Sequence, residues 1–181
     1  KEAVLKGTFD KFIVGTANKK GTATVDKEFL LSLDQWRTLL AENITKENKE
    51  LDEEELNFVV QHTLDRIIFL RICEDRSIEQ YGSLRDALLS GDFYQNLLKE
   101  FKQADNKYNS GLFDFKKDKL SPRLSINNKT LKTIINELYY PICPYEFSVL
   151  SVEILGSAYE QFLGKTICIN SKGKAVIELK P

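Results

Sequence analysis

Residues Asp52–Arg76, DEEELNFVVQHTLDRIIFLRICEDR, decide the fold class. Asp52 followed three residues later by Glu55 has the spacing of a reciprocal helix cap, in which each side chain accepts from the other residue's backbone N–H. Leu51 and Leu56 stand where a hydrophobic staple would close over that cap. Glu53, Glu54 and Glu55 put negative charge at the positive end of the helix dipole. The acidic cluster therefore reads as a helix start and not as a metal site. Beyond it, Leu56, Val59, Val60, Leu64, Ile67, Ile68 and Ile72 recur at three- and four-residue steps, and Phe69 and Leu70 widen the apolar face nearly all round. A helix apolar on so many sides must be enclosed by other elements. It is predicted to be the centre of a bundle, with Leu64, Ile67, Ile68 and Ile72 in the middle of the core.

The flanking sequence supplies the enclosing elements. Towards the N-terminus, Phe29, Leu30, Leu33, Trp36, Leu40 and Ile44 fall on one helical face, with Thr24 or Asp26 as the expected cap and residues 45–50 as a polar linker. Residues 18–24 (NKKGTAT) read as a loop, and Phe9, Phe12 and Ile13 predict a short helix before it. Towards the C-terminus, a short helix is expected over Ser83–Leu89. A longer one follows over Phe93–Tyr108, with Leu97, Leu98, Phe101, Ala104 and Tyr108 on one face. Asn109–Asn128 has no period and holds Gly111 and Pro122, so it reads as a long loop anchored by Leu112, Phe113 and Phe115. Asn127 or Asn128 should cap a helix running to Leu138, with Pro141 and Pro144 beyond its end. A last helix is expected over Ser148–Leu163, with Ile154, Leu155, Ala158, Tyr159 and Phe162 inward and Gly164 closing it. KTICI and AVIEL around NSKG then change the period to that of a hairpin. The fold class is mainly α: an irregular multi-helix bundle of six or seven helices with a small C-terminal β-hairpin. Two strands alone are marginal in water, so the hairpin is expected to lean on a sheet or on another domain.

Composition narrows the chemistry. The chain has 181 residues, 26 Lys+Arg against 27 Asp+Glu, and 42% apolar residues. That is an ordinary globular balance, and a net charge of -1 excludes a protein that coats nucleic acid by bulk charge. No apolar run approaches the ~20 residues that cross a bilayer. Cys73, Cys143 and Cys168 are too widely spaced for a disulfide framework or a zinc site, and His62 has no catalytic partner at a recognisable spacing. The terminal AVIELK carries Glu178 and Lys180, half of a metal-dependent nuclease signature, but the preceding strand has no acid to complete it. Glu74, Asp75 and Arg76, with Arg71 and Arg66 one and two turns earlier, read as an ion-pair network at a helix end. No Gly-rich dinucleotide loop, phosphate loop or nucleophile elbow occurs. The one marked charge asymmetry lies in Lys99–Lys132, with nine Lys/Arg against four Asp/Glu. Within it Lys116, Lys117, Lys119 and Arg123 cluster, as a solvated loop or as a phosphate-facing edge that adds affinity without base readout.

Five strings together resemble one family. LDRIIFLRICEDR (Leu64–Arg76), YNSGLF (Tyr108–Phe113) and SVEILGSAYEQFLGK (Ser151–Lys165) are similar to the helical segment ahead of the methyltransferase domain in single-chain type IIG (Eco57I-like) restriction–modification enzymes. KKGTATVDKEF (Lys19–Phe29) and RTLLAENI (Arg37–Ile44) resemble the same family's upstream portion. The resemblance implies a helical connector domain over 1–147. Residues 148–181 would then be a helix and hairpin leading into a methyltransferase domain. It implies a bacterial, cytoplasmic parent enzyme that cleaves DNA and methylates adenine, with S-adenosylmethionine and a divalent metal such as Mg as cofactors. The implied partners are DNA, through the parent, and the intramolecular nuclease and methyltransferase modules, with no membrane. The family's Asn-Pro-Pro-Tyr motif and Gly-rich cofactor loop do not occur in this sequence, so no catalytic, cofactor-binding or metal-binding residue carries over. Together with a first residue that is not Met, this leads us to expect a piece of a longer chain. The rival expectation is a stand-alone α-helical protein-interaction or regulatory module.

Overall fold

The computed structural model describes residues 19–144, 146–147 and 150–181. In chain order the elements are α1 (Lys19–Glu47), α2 (Glu53–Asp75), α3 (Ser83–Asp86), α4 (Phe93–Tyr108), two single 3-10 turns (Gly111–Phe113 and Ser121–Arg123), α5 (Asn128–Asn136), α6 (Val152–Leu163), β1 (Lys165–Ile169) and β2 (Ala175–Leu179). The mainly α class with one small C-terminal antiparallel pair is as the pattern predicts.

The cap of α2 is the one its sequence specifies. Asp52 Oδ1 accepts from Glu55 N at 2.8 Å, and Glu55 Oε2 accepts from Asp52 N at 3.0 Å. Leu56, Val59, Val60, Leu64 and Ile67 are fully enclosed, and Ile68 is 2% exposed. Ile72 packs against the cluster from its half-buried edge. Trp36, from α1, joins the same core and donates its indole N–H to Glu137 Oε2 at 2.7 Å, tying α1 to the end of α5. Asp92 caps α4 through Gln95 N, and Asn127 caps α5 through Thr130 N.

Three local expectations are corrected. Residues 19–24 are helical and not loop, so Thr24 and Asp26 lie within α1 and do not cap it. A single glycine near a helix start costs only about 1 kcal/mol, which a helix of 29 residues absorbs. The helix expected on Phe9, Phe12 and Ile13 lies outside the described residues. Next, α3 is a single turn ending at Asp86; beyond it Ala87, Leu88 and Leu89 bond to the carbonyls three residues back, a tighter winding than α, and Asn96 Nδ2 takes the carbonyls of Ala87 and Ser90. Finally, α6 begins at Val152 and not at Ser148; Phe162 is buried and Tyr159 half-buried along it. The inward placement expected of Ile154, Leu155 and Ala158 concerns side chains outside the described set.

The hairpin needs no neighbouring sheet. It lies on α1 and α2, with Ile167 and Ala175 buried between. In its antiparallel register Ile167 faces Ile177 and Ile169 faces Ala175, so Lys165, Ile167 and Ile169 turn their backbone groups away from β2. Side chains of the helices take them. Asn57 Nδ2 donates to Ile167 O at 2.8 Å, and its Oδ1 accepts from Ile167 N at 2.9 Å. Glu53 Oε1 accepts from Ile169 N at 2.8 Å, and Arg37 Nη2 donates to Lys165 O at 3.2 Å. Arg37 also donates to Phe162 O at 2.8 Å and stacks over the Phe162 ring at 3.9 Å, which fixes the end of α6 against α1.

Candidate nucleic-acid interface

The long segment between α4 and α5 carries the four basic candidates, and it is built onto the core at several points. Phe113 is fully buried and packs edge-on against Phe69 at 5.5 Å between ring centroids. Leu124 and Ile126 are buried further along. The Asn48 amide brackets Ser125, donating to its carbonyl and accepting from its N–H, both at 2.9 Å. Tyr94 OH donates to Ser121 O at 2.7 Å. Burial pushes the Tyr94 phenol well above its ordinary range, so it acts there as a donor.

At the centre of the segment sits a buried ion pair. Arg66 of α2 and Asp118 are 1% and 4% exposed, with Nη1 to Oδ2 at 2.8 Å. The contact lacks the alignment of a hydrogen bond at Oδ2 and is held by charge. Arg66 Nε donates to Leu112 O at 2.8 Å, Nη1 to Ser121 Oγ at 3.2 Å, and the guanidinium lies over the Phe115 ring at 4.6 Å. Asp118 Oδ1 accepts from Leu120 N at 3.1 Å and Ser121 N at 2.9 Å. Burial raises the Asp118 carboxyl, but the bonds from Ser121 and the charge of Arg66 outweigh it and hold the group below the usual carboxylate range. Arg66, expected in the network at the end of α2, instead pairs with Asp118, the acid within the basic cluster. Arg71 keeps Asp75, one turn on, as its ion-pair partner, and its charge also acts on Glu74.

Lys116, Lys117, Lys119 and Arg123 are all exposed. Arg123 Nε donates to Lys119 O at 3.1 Å, and Lys119 Nζ to Phe115 O at 3.0 Å, so these two cations are held close along the chain. Lys117 Nζ stands 3.9 Å from Asp114 Oδ2 with its own side chain almost fully in water. Lys116 lines a shallow polar cleft with Asp105, Asn109, Ser110 and Asp114. The structure thus sets four cations outward from one ordered segment. Such an arrangement can meet anionic oxygens as point charges.

The other enzyme-like strings occupy different places. Glu178 and Lys180 lie exposed at the end of β2, with Glu178 opposite Thr166. Among the described residues no group of three or more His, Cys, Asp and Glu is arranged to hold a metal. Glu74 accepts from both the Tyr139 hydroxyl, at 2.7 and 2.8 Å, and the Gly82 amide, and burial lifts its carboxyl above the usual range despite these bonds. Asp75 Oδ2 accepts from Phe147 N at 2.9 Å. Glu74 and Asp75, which line the cleft beside Tyr81 and Tyr140, are thus engaged within the fold, while Glu146 on the same cleft is exposed. His62 stacks on Phe58 and bonds to its carbonyl at 2.9 Å; Cys73 is buried, and no disulfide joins Cys73, Cys143 and Cys168 to one another.

The chain is 41% identical over 180 residues, 99% of its length, to the type II restriction enzyme and methyltransferase RM.Eco57I of Escherichia coli. The similarity runs along nearly its whole length. The chain spans 18% of that relative's length. No family model matches it, and no solved structure does.

Proposed function

We propose that this chain is the helical connector of a type IIG restriction–modification enzyme. In that role it holds a nuclease module and an adenine-specific DNA methyltransferase module at a set geometry on DNA. The alignment of nearly the whole chain with a fifth-part segment of a restriction enzyme and methyltransferase carries this reading. The packing supports it: buried arginines on α1 and α2 clamp the hairpin and the long segment to one core, which is the stiffness a spacer needs. In the parent the chemistry belongs to other modules, where S-adenosylmethionine would supply the methyl group and a metal such as Mg would assist cleavage. Residues 1–147 are the connector proper, and 148–181 the lead into the methyltransferase. The parent acts in the bacterial cytoplasm; among the described residues no helix is long and apolar enough to cross a membrane.

Within this role Lys116, Lys117, Lys119 and Arg123 face the DNA backbone. Their contacts are to phosphate, so they add affinity for specific and nonspecific duplex alike. The decisive test is the reading frame beyond Pro181, which must carry an adenine methyltransferase motif of the Asn-Pro-Pro-Tyr kind. A frame without one refutes the connector. For the basic segment, replacing Lys116, Lys117 and Lys119 with Ala in the intact enzyme should lower the slope of log affinity against log salt by about 0.9 per lost contact. An unchanged slope refutes the phosphate role.

A second reading, a stand-alone helical protein-interaction module, rests on the exposed Ile78, Tyr81, Tyr140 and Ile142. The same frame test separates the two.

A further inference from the structure

We infer that the Arg66–Asp118 pair is a positioning device for the basic segment. It removes the one acid lying among the four cations from the outward face and fixes the turn from which they project. This rests on the phosphate-contact reading of Lys116, Lys117, Lys119 and Arg123 and adds to it the residues that make the contact possible.

The argument begins with the sequence order Lys116-Lys117-Asp118-Lys119. In a mobile chain Asp118 would stand beside both flanking lysines and partly cancel their field. Here Asp118 is turned inward, 4% exposed, while its neighbours on both sides are exposed. Two interactions hold it so. Oδ1 accepts from Leu120 N and Ser121 N, which folds the backbone into the turn ahead of Arg123. Oδ2 faces Arg66 Nη1. Arg66 cannot itself reach a phosphate, since it is 1% exposed and covered by the Phe115 ring. Its other donors go to Leu112 O and Ser121 Oγ, on either side of the basic run. One guanidinium therefore pins both ends of the stretch that carries the lysines. Holding charges in their bound geometry before binding lowers the ordering cost of association.

The pair makes a prediction of opposite sign to simple electrostatics. Asp118→Asn adds one positive charge to the segment, so bulk attraction alone would tighten DNA binding. Asn keeps an oxygen for Leu120 and Ser121 but sets an amide donor against Arg66, so positioning predicts weaker binding. Asp114→Asn is the charge-matched control. It keeps the oxygen that accepts from Lys116 N at 3.2 Å and removes the charge near Lys117.

The experiment measures fluorescence anisotropy of a labelled random-sequence duplex against the full 181-residue chain over a low-salt series. Hydrogen exchange of residues 112–123 is followed in the same proteins. Asp118→Asn should weaken binding roughly threefold or more through lost preorganisation, with faster exchange over 112–123, while Asp114→Asn binds as tightly as the parent or tighter. Asp118→Asn binding like Asp114→Asn overturns the inference, as does unchanged exchange. The Lys116/Lys117/Lys119→Ala variant keeps the two ideas apart. If it leaves the salt slope unaltered, the phosphate reading fails, and exchange in Asp118→Asn still decides whether the pair orders the segment. Should Asp118→Asn lose its helical circular dichroism, Ser121→Ala, which removes one Arg66 acceptor and keeps the carboxylate, takes its place with the same expected direction. Parental affinity and exchange in that folded variant would overturn the inference.

Discussion

Replacing Asn57 with Ala should loosen the hairpin from the helical body. The Asn57 amide acts as a third strand one residue wide, giving Nδ2 to Ile167 O and taking Ile167 N on Oδ1. Ile167 is 2% exposed, so alanine leaves a donor and an acceptor that water reaches poorly. Each orphaned buried group costs about 1–3 kcal/mol. Alanine returns roughly 0.5 kcal/mol through its better helix propensity. The net expectation is a loss of about 1.5–5.5 kcal/mol from a typical total of about 5–15. Asn57→Asp keeps the acceptor but sets a carboxylate oxygen against Ile167 O, so it should cost at least as much as alanine. Urea unfolding followed by the emission of Trp36, the sole tryptophan and fully buried, gives the free energies. Trp36 emission should shift to the red through the transition. Hydrogen exchange at Ile167 N reports the clamp directly. A loss below ~0.5 kcal/mol with unchanged exchange at Ile167 would show that the hairpin is held by apolar packing alone, and the hydrogen-bonding argument would fail.

Three further outcomes follow from the same structure. Ile68→Ala should lower stability by about 2–5 kcal/mol, since the side chain is 2% exposed; an unchanged thermal melt would contradict its place in the core. The Asp118 carboxyl lies below its ordinary range in the folded chain, so the unfolded chain binds more protons near pH 4. Its contribution is complete above the unfolded value of about 3.9 and is lost as pH falls through the folded one. Asp118→Asn should therefore flatten the acid limb of a stability-against-pH curve, and a limb of unchanged steepness would count against it. Asp65 works in the other direction. Burial raises its carboxyl despite bonds from Gln61 and Tyr159, so stability falls as pH rises from the ordinary value through the folded one. Asp65→Asn should remove that decline; a variant that keeps the full decline would assign it elsewhere.

Much of the helical plan was legible because it is written in neighbours. The cap on α2 needs only Asp52 and Glu55, three residues apart, and its buried face needs only the period of Leu56, Val59, Val60, Leu64 and Ile67. The hairpin was legible as a change of period around Asn170–Gly173. The basic cluster was visible as composition, and its exposure agrees with that. Boundaries were less legible where the chain tightens from four- to three-residue bonding, as it does after Asp86 at the end of α3.

What the sequence by itself determined is therefore local: which stretches are helical, which faces are apolar, and that the chain ends in two paired strands. What only the tertiary structure decided is pairing at a distance. Asn57 meets Ile167 across 110 residues, and Arg37 meets Phe162 across 125. Nothing in the neighbourhood of Arg66 names Asp118, and each could as well have met a closer opposite charge. The physical reason is that a charge or an amide has no periodicity to betray its partner. It is satisfied by whatever the packed core brings within about 3 Å. Burying it unpaired would cost more than the fold can spare.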